Sequence, residues 1–364
     1  MLFFDICKCL TIFIADSLCI SIIFTTFAPA KQNNSFKNMS YLDINATEHA
    51  IKLVKDCFQQ QFSSALRLRR VTAPLFVESG HGLNDDLTGK EKPVTFHVPE
   101  LNRTCEIVHS LAKWKRVKLG HIHAQPGFGI YTDMNAIRTF ERPDDIHSLY
   151  VDQWDWEKVL TDAERTSAYL HDTVRTIYRV LLNVEYIVCE HYPVLLPFLP
   201  SEITFITAEQ LLRRYPALSP KQREDAICRE YGAVFIEGIG APLSNGLPHD
   251  DRAADYDDWA LNGDILIWYP ILNKAIELSS MGIRVNADSL QRQLQQAGHT
   301  DWATLDYHRA VLNNTLPLTI GGGIGQSRLC MTLLHKQHIG EVQVSEWSQD
   351  ELDCCAAQGI ELLH

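Results

Sequence analysis

Glycine stands at alternate positions 321, 323 and 325 of the segment Gly321–Arg328, and this spacing constrains the fold more than any other feature. With every second Cβ missing, the backbone can lie flat against a ligand. Apolar residues at 329, 331, 333 and 334 predict that the glycines form a loop that leads into a helix, which fixes the direction of Arg328. A planar, permanently charged guanidinium suits an adenine ring or a phosphate. A tight turn with a solvated arginine is the alternative.

This segment matches neither of the common phosphate-binding glycine motifs. The Gly-Lys-Ser/Thr of a P-loop is missing, and Gln326 occupies the place of the third glycine of a dinucleotide fingerprint. Many strand-like segments also follow one another without a helix between each pair. We therefore predict an α+β fold with a mainly antiparallel sheet flanked by helices, rather than a doubly wound sheet. The predicted strands are 71–77, 94–98, 105–109, 129–134, 149–156, 233–239, 264–269 and 276–285.

Composition narrows the possible partners. The chain has 364 residues, of which 46% are hydrophobic, enough for one large domain or two modest ones. A net charge of -12 argues against nucleic acid as a general partner, because such proteins present a basic surface. The ten cysteines lack zinc-site spacing and fit a reducing compartment, so we expect a cytoplasmic protein.

Residues 1–38 differ from the rest of the chain. They are rich in Ile, Leu, Phe and Cys, but Asp5 and Asp16 interrupt them and no positive amino-terminal region precedes the apolar stretch. We expect a hydrophobic extension outside the fold, followed by a single catalytic domain over 39–364. A genuine signal peptide or membrane anchor is the alternative.

Two strand segments carry polar groups suited to small ligands. On strand 149–156, alternation places Gln153 and Asp155 on one face, a good pair for recognising an amino acid. Within 277–284 a carboxylate, two hydroxyls and an arginine share a core strand. Glu277 and Asp264 are therefore candidates to hold Mg²⁺ with nucleotide phosphates. A solvated strand face and a ligand-free Arg–Glu ion pair are the respective alternatives.

Other segments are more ambiguous. The segment 109–116 predicts a helix start that presents hydroxyl and ammonium groups to an anion, or a solvated amphipathic helix. Asp85 lies in a polar loop and is either functional or a turn former. The acidic stretch 250–258 is most simply interpreted as solvated.

Six motifs taken together resemble the ammonia-dependent asparagine synthetases of the A type, the aspartate–ammonia ligases. They are HSLAKWKR (109–116), YVDQWDW (150–156), DYDDW (255–259), LNGDILIW (261–268), ELSSMGIR (277–284) and GGGIGQSR (321–328). The resemblance runs from about residue 43 to about residue 346. It implies a fold similar to the catalytic core of class II aminoacyl-tRNA synthetases, and a homodimer with Pro74 in the interface motif.

The resemblance also implies a reaction and a set of residues. ATP, L-aspartate and ammonia would give L-asparagine, AMP and pyrophosphate through a β-aspartyl adenylate, with ATP and Mg²⁺ required. The residues expected at the reacting groups are Asp85, Arg138 and Gln153. Those expected to bind aspartate are Ser110, Asp155, Asp257, Ser280, Arg284 and Gly323. Those expected to surround AMP are Lys115, Ile146, Asp264, Glu277, Ser279 and Arg328.

Two features depart from the family pattern. Family members carry some ten more residues between DYDDW and LNGD, where Trp259-Ala260-Leu261 joins the motifs directly, and they lack the hydrophobic start. If the missing segment is a lid, its loss weakens water exclusion. A non-catalytic or tRNA-related paralogue is therefore the alternative function.

Overall fold

The structure is a computed structural model that describes residues 42–85 and 91–364. In this part of the chain the helices are α1 (Ile44–Leu66), α2 (Ala112–His121), α3 (Ser167–His191), α4 (Ala208–Arg214), α5 (Pro220–Tyr231), α6 (Ala287–Ala297), α7 (Asp306–Leu312), α8 (Gln326–Leu333) and α9 (Gln349–Gln358). The strands are β1 (Leu68–Arg70), β2 (Phe76–Glu78), β3 (Thr95–Val98), β4 (Arg103–Ile107), β5 (Gly129–Ile137), β6 (Tyr150–Val159), β7 (Thr204–Thr207), β8 (Ala233–Glu237), β9 (Asp257–Tyr269), β10 (Lys274–Arg284) and β11 (Thr319–Gly325).

One large sheet organises the molecule. Its strand order is β1-β5-β6-β11-β10-β9-β8-β7, and a separate small sheet has the order β2-β4-β3. The pairings from β5 to β8 are antiparallel, whereas the edge pairs β1–β5 and β7–β8 are parallel. The α+β class is confirmed, but the sheet is mixed, so the expectation of an antiparallel arrangement was right only for the central pairings. Both edge strands are short and gave little sequence signal.

Helices α1 and α3 cover one face of the large sheet, which we call the back face. Asp43 caps α1 by accepting a 2.8 Å hydrogen bond from the Ala46 N–H. The helix then buries an apolar stripe that includes Phe58 and Phe62. These rings pack against Trp154 and Trp156 of β6, with centroids 4.6 and 6.0 Å apart. Because side chains alternate along a strand, Gln153 and Asp155 point to the opposite, front face.

Several predicted boundaries were wrong. Of the predicted strand 71–77, only residues 76–77 belong to a strand, β2, and residues 71–75 form a gap after β1, where Pro74 has no N–H with which to pair. The predicted glycine loop is instead the central strand β11, which pairs with β6 and β10 on either side, and only α8 begins as expected. Strand β7 and helix α9 were not predicted.

Residues 1–41 lie outside the described part of the chain, so the expected boundary at residue 38 stays a prediction. The described residues all belong to one contact unit. Among them, no helix combines the length and the apolar character needed to cross a lipid bilayer.

Candidate active site

Two adjoining cavities open on the front face of the sheet. The Arg328 cavity, of about 220 Å³, is walled by residues 146–153 of β6 and its preceding loop and by Arg328 of α8. The Arg284 cavity, of about 210 Å³, is walled by residues of β6, β10 and β11, the Asp85 loop and the 251–257 segment. Both cavities include the same four residues, Arg138, Gln153, Glu277 and Gly323. A ligand group in one cavity therefore lies next to a group in the other.

The glycines of β11 make room for this junction. A Cβ at Gly323 would come within 2.8 Å of the Gln153 Cδ. One at Gly321 would come within 2.6 Å of the Arg284 Nη2 and would overlap the Glu157 carboxylate. The alternate glycines therefore let long polar side chains from β6 and β10 cross the strand.

A β-bulge in β10 decides which of its side chains face the cavities. Glu277 pairs with Leu266 and Ser279 with Ile265, so one extra residue is inserted between them. The inserted residue shifts the alternation, and Glu277 and Ser280 both line the Arg284 cavity. Ser279 is buried and lines neither cavity among the described residues. Its expected place beside AMP, which the family resemblance implied, stays a prediction.

The predicted catalytic and aspartate-binding residues lie together. Every one of them lines the Arg284 cavity: Asp85, Ser110, Arg138, Gln153, Asp155, Asp257, Ser280, Arg284 and Gly323. The Ser110 Oγ donates to the Asp85 carboxylate at 2.8 Å, and the Arg138 Nη2 donates to the His109 carbonyl at 3.2 Å. Loops and strands that are distant in sequence thus meet at one cavity.

The residues predicted to surround AMP are divided. Ile146, Glu277 and Arg328 line the Arg328 cavity. Arg328 is held there by Nε and Nη1 hydrogen bonds to the carbonyls of Ile146 and Glu277, at 3.3 and 3.2 Å. Lys115 and Asp264 line neither cavity in the described structure. Lys115 faces inward from α2 and is fully buried against Asp155, so we place it beneath the site rather than against the nucleotide.

The structure adds Arg252 to the site. Its Nη2 binds both oxygens of Asp264 at 2.7 Å, and its Nη1 donates to the Ser280 hydroxyl. Arg252 also lines the Arg284 cavity, which explains why Asp264 lies one side chain away from it. The sequence interpretation of 250–258 as a solvated loop was wrong for Asp255, Asp257 and Asp258, which are buried, and right for Asp250 and Asp251, which are exposed. The position of Arg252 among five aspartates was the sequence signal that could have predicted an ion-paired segment here.

Arg284 is held between two carboxylates. Its Nε and Nη2 donate to Glu157 at 3.1 and 2.8 Å, and its Nη1 donates to Asp257. Although burial opposes ionisation, Arg284 and Lys115 hold the pKa of Glu157 below its ordinary value. Burial raises the pKa of Asp257 against the influence of Arg284. Glu157 takes the Nε edge of the guanidinium, so the two Nη groups still have hydrogens for a ligand carboxylate.

Below the site, Asp255 accepts hydrogen bonds from Lys113 at 2.7 Å and from the His308 Nε2 at 2.9 Å. All three side chains are about 1% exposed. Burial opposes ionisation, but Lys113 and His308 outweigh it and lower the pKa of Asp255 to about 2. This ion-paired group joins α2, α7 and the segment that precedes β9.

We expect Asp255→Asn to lower the free energy of unfolding at pH 7 by about 3–5 kcal/mol, because it removes the buried carboxylate that both Lys113 and His308 contact. A carboxylate with a lowered pKa stabilises the fold fully above its ordinary pKa and loses this effect as the pH falls through its folded value. The difference in free energy of unfolding between the variant and the parent should therefore become smaller as the pH falls from about 4 towards 2. Urea unfolding across this range measures it. Asp56→Asn, at an exposed pair with Lys52, is the control and should change little.

Carboxylates offer one candidate cation site. Burial and the nearby Glu277 raise the pKa of Asp264 to about 7, although Arg252 opposes the shift. Two carboxylates that repel each other in this way, on neighbouring strands beside the cavity junction, form an oxygen-rich set of the kind that Mg²⁺ prefers.

A second group, His338, Glu351 and Cys355, places its possible ligand atoms within 4.8 Å of one another. The His338 Nδ1 accepts a 3.0 Å hydrogen bond from the Gly340 N–H, so the proton of the neutral ring is on Nε2. Nε2 then donates to Glu351 at 3.2 Å. Burial also raises the pKa of Cys355 to about 11. This group therefore forms a structural hydrogen-bonded cluster.

Comparison with known proteins gives a consistent result. A family model described as "AsnA: Aspartate-ammonia ligase" matches residues 45–359. The aspartate–ammonia ligase of Parabacteroides distasonis is 54% identical over 332 residues, covering 88% of this chain and 96% of that protein. That of Fusobacterium nucleatum is 55% identical over 325 residues, covering 89% and 99%.

Solved structures with a similar fold are aminoacyl-tRNA synthetases of class II. Asparaginyl-tRNA synthetase of Entamoeba histolytica, in complex with asparaginyl-adenylate, has a TM-score of 0.59 at 14% identity, covering 82% of this chain and 66% of that one. The Pyrococcus horikoshii asparaginyl-tRNA synthetase has a TM-score of 0.58 at 12% identity, covering 82% and 68%. At this identity the likeness concerns the fold alone.

Proposed function

Because the chain belongs to the aspartate–ammonia ligase family, we propose that it makes L-asparagine from L-aspartate and ammonia at the expense of ATP. The observation that carries the proposal is the junction of the two cavities at Arg138, Gln153, Glu277 and Gly323. One cavity accommodates the amino acid and the other the nucleotide. A carboxylate of the first substrate and the α-phosphate of the second can then meet at Arg138.

In the first step, an oxygen of the aspartate β-carboxylate attacks the α-phosphorus of ATP. The bond from that phosphorus to the β-phosphate oxygen breaks, and pyrophosphate leaves with the electron pair. Arg138 neutralises negative charge on both reacting groups. Its Nε is buried and has no hydrogen-bond partner among the described residues, so a donor remains for the substrate. The step needs alignment and charge neutralisation rather than a protein nucleophile.

In the second step, ammonia attacks the acyl carbon of the β-aspartyl adenylate, and the carbon–oxygen bond to AMP breaks. The attacking nitrogen loses a proton. Asp85 is our candidate to hold ammonium and to take the proton that frees ammonia for the attack, since it lines the Arg284 cavity, and solvent receives the proton lost afterwards. Asp155 and Asp257 suit the substrate α-ammonium, and Arg284 suits the α-carboxylate. Ile146 and Arg328 suit the adenosine side of AMP.

Asp264 and Glu277 are the residues that would hold Mg²⁺. The ion, when bound, would offset the charge of the triphosphate. Glu277 lines both cavities, and Asp264 lies on the neighbouring strand behind Arg252, which lines the Arg284 cavity. Arg252 shares Asp264 in the present structure, so this arginine is positioned to approach the same phosphates.

Assembly and location are also proposals. A homodimer is supported by the exposed apolar residues near Pro74: Leu75, Phe76 and Phe96 are 53%, 46% and 37% exposed. Small-molecule partners fit the net charge of -12 better than nucleic acid does. The described cysteines are free thiols, as a reducing cytoplasm would leave them. Residues 1–38 remain a proposed extension outside the catalytic domain, which intact-mass measurement of the native protein would test.

The deciding experiment is pyrophosphate release by the purified protein with ATP, aspartate and ammonium. Formation of one asparagine for each pyrophosphate released, only when all three substrates are present, supports the proposed ligase activity. A requirement for tRNA would indicate a tRNA-related activity. No release under any of these conditions would indicate a non-catalytic binding protein.

For Asp85→Asn we expect the KM for ammonium to rise and the pH optimum to move upward, because the reaction then depends on the neutral ammonia present in solution. Initial rates over a range of ammonium concentration and pH measure both effects. The adenylation step, followed without ammonium, is the control and should change little. An unchanged ammonium and pH profile would eliminate Asp85 as the proton acceptor.

A further inference from the structure

Asn84 connects the Asp85 loop to the segment between β4 and α2. Its side-chain oxygen accepts hydrogen bonds from the backbone N–H groups of Asp85 and His109, both at 2.9 Å. Its amide nitrogen donates to the Ile107 carbonyl at 3.2 Å. The side chain is 4% exposed, so water offers these groups little competition.

Two further hydrogen bonds join the same segments. The His109 Nδ1 lies 3.1 Å from the Asp85 carbonyl, and because a carbonyl can only accept, Nδ1 carries the proton. The Ser110 hydroxyl donates to the Asp85 carboxylate at 2.8 Å. We call the group Asn84, Asp85, His109 and Ser110 the amide clasp. It is buried except at the serine, which is partly exposed to the Arg284 cavity.

The backbone of His109 also links the clasp to Arg138. Its N–H donates to the Asn84 side-chain oxygen, and its carbonyl accepts from the Arg138 Nη2 at 3.2 Å. The backbone of one residue thus connects the Asn84 amide to the guanidinium at the junction of the cavities. The loop before the clasp contains Gly80 and Gly82, which have φ values of +89° and +67°. Because glycine adopts many backbone conformations, these residues do little to fix the position of the loop, and the clasp serves as its anchor.

We propose that Asn84 is a positioning residue for the amination step: it holds Asp85 beside the place where ammonium gives up a proton, so that the resulting ammonia can attack the adenylate formed at Arg138. The inference rests on the proposed function. Asn84 itself touches no substrate and acts through Asp85. Loss of the Asn84 side chain would displace the Asp85 carboxylate by a small distance. Such a displacement lowers the rate strongly in a reaction that depends on alignment.

The test separates the two half-reactions. Asn84→Ala should leave aspartate-dependent exchange of labelled pyrophosphate into ATP, measured without ammonium, within about two-fold of the parent. The kcat/KM for ammonium, at saturating ATP and aspartate, should fall by about 10- to 100-fold. Asn84→Ser keeps one hydrogen-bond acceptor, so its kcat/KM for ammonium should lie between those of the parent and of Asn84→Ala. This variant also tests the inference if the alanine variant does not fold.

Gln293 provides a matched control. It is 1% exposed, and its amide also makes three hydrogen bonds to backbone groups, those of Ala254, Asp257 and Trp259. It holds the segment of Asp257, not that of Asp85. Gln293→Ala should lower stability by an amount similar to Asn84→Ala, but its kinetic effect should fall on the KM for aspartate. A similar loss of ammonium efficiency in both variants would show that Asn84 has only a structural role.

A double-mutant cycle tests whether Asn84 acts through Asp85. The double variant Asn84→Ala/Asp85→Asn should use ammonium no less efficiently than Asp85→Asn alone. Additive losses would overturn the inference, as would equal losses in both half-reactions. A parent protein that makes no asparagine would instead contradict the proposed function, so the two failures are distinguishable.

Discussion

Replacing Arg138 by alanine is expected to lower the rate of asparagine formation by about 10³-fold, because charge develops next to this residue in both steps. Arg138 is the only cation among the four residues that both cavities share, counted over the described chain. Its side chain is 19% exposed, and its Nη1 lies 3.8 Å from the Glu141 Oε1. This long ion pair helps to position the guanidinium but leaves most of its charge for the substrates. The loss should appear in pyrophosphate exchange as well as in the complete reaction.

Two variants sharpen this prediction. Arg138→Lys keeps the charge but not the planar fork, and should retain more activity than the alanine variant. Arg142→Ala alters an exposed arginine four residues further along that lines neither cavity in the described structure, and should leave the rate close to that of the parent. Exchange that survives in Arg138→Ala would remove Arg138 from the adenylation step.

Replacing Gly321 by alanine is expected to have the largest effect on stability within the glycine motif. The new methyl group would overlap the Glu157 carboxylate and lie 2.6 Å from the Arg284 Nη2 and from the Trp156 carbonyl. Neither strand can yield easily at the centre of the sheet, and the buried ion pair would be pushed apart. We expect the free energy of unfolding to fall by about 3 kcal/mol or more. The KM for aspartate should rise in parallel, because Arg284 loses its support.

Gly325→Ala is the matched control on the same strand. A Cβ there would meet Arg328 Cβ at 3.4 Å, an ordinary contact, so the stability of the fold should change little. Denaturant unfolding of the two variants measures the difference. Equal stabilities would contradict the proposed reason for the glycine at position 321.

Local sequence patterns predicted much of this fold. The alternation predicted for β6 was correct, and it alone separated Trp154 and Trp156 from Gln153 and Asp155. The long motifs contain many of the residues that line the Arg284 cavity, but not Arg252. These signals are reliable because backbone geometry fixes how side chains alternate along a strand or repeat along a helix.

Local patterns failed where distant segments decide the outcome. The glycine segment looked like a loop because glycine has low strand propensity, yet pairing with β6 and β10 makes it a central strand. The bulge between Glu277 and Ser279 depends on the register against β9 and has no sequence signature. The acidic stretch 250–258 looked solvated until its partners Lys113, Arg165 and Arg284 were in place.

The sequence by itself determined which residue types are available to handle an acid, an amine and a triphosphate, and the motif order that places the chain in its family. Only the tertiary structure decided which of them share a cavity. Lys115 and Ser279 line neither cavity in the described structure, whereas Arg252 lines the Arg284 cavity and Glu157 holds Arg284 from outside it. The physical reason is that a buried charge can lie only where a partner from another element meets it, and such long-range pairing is not written in local periodicity.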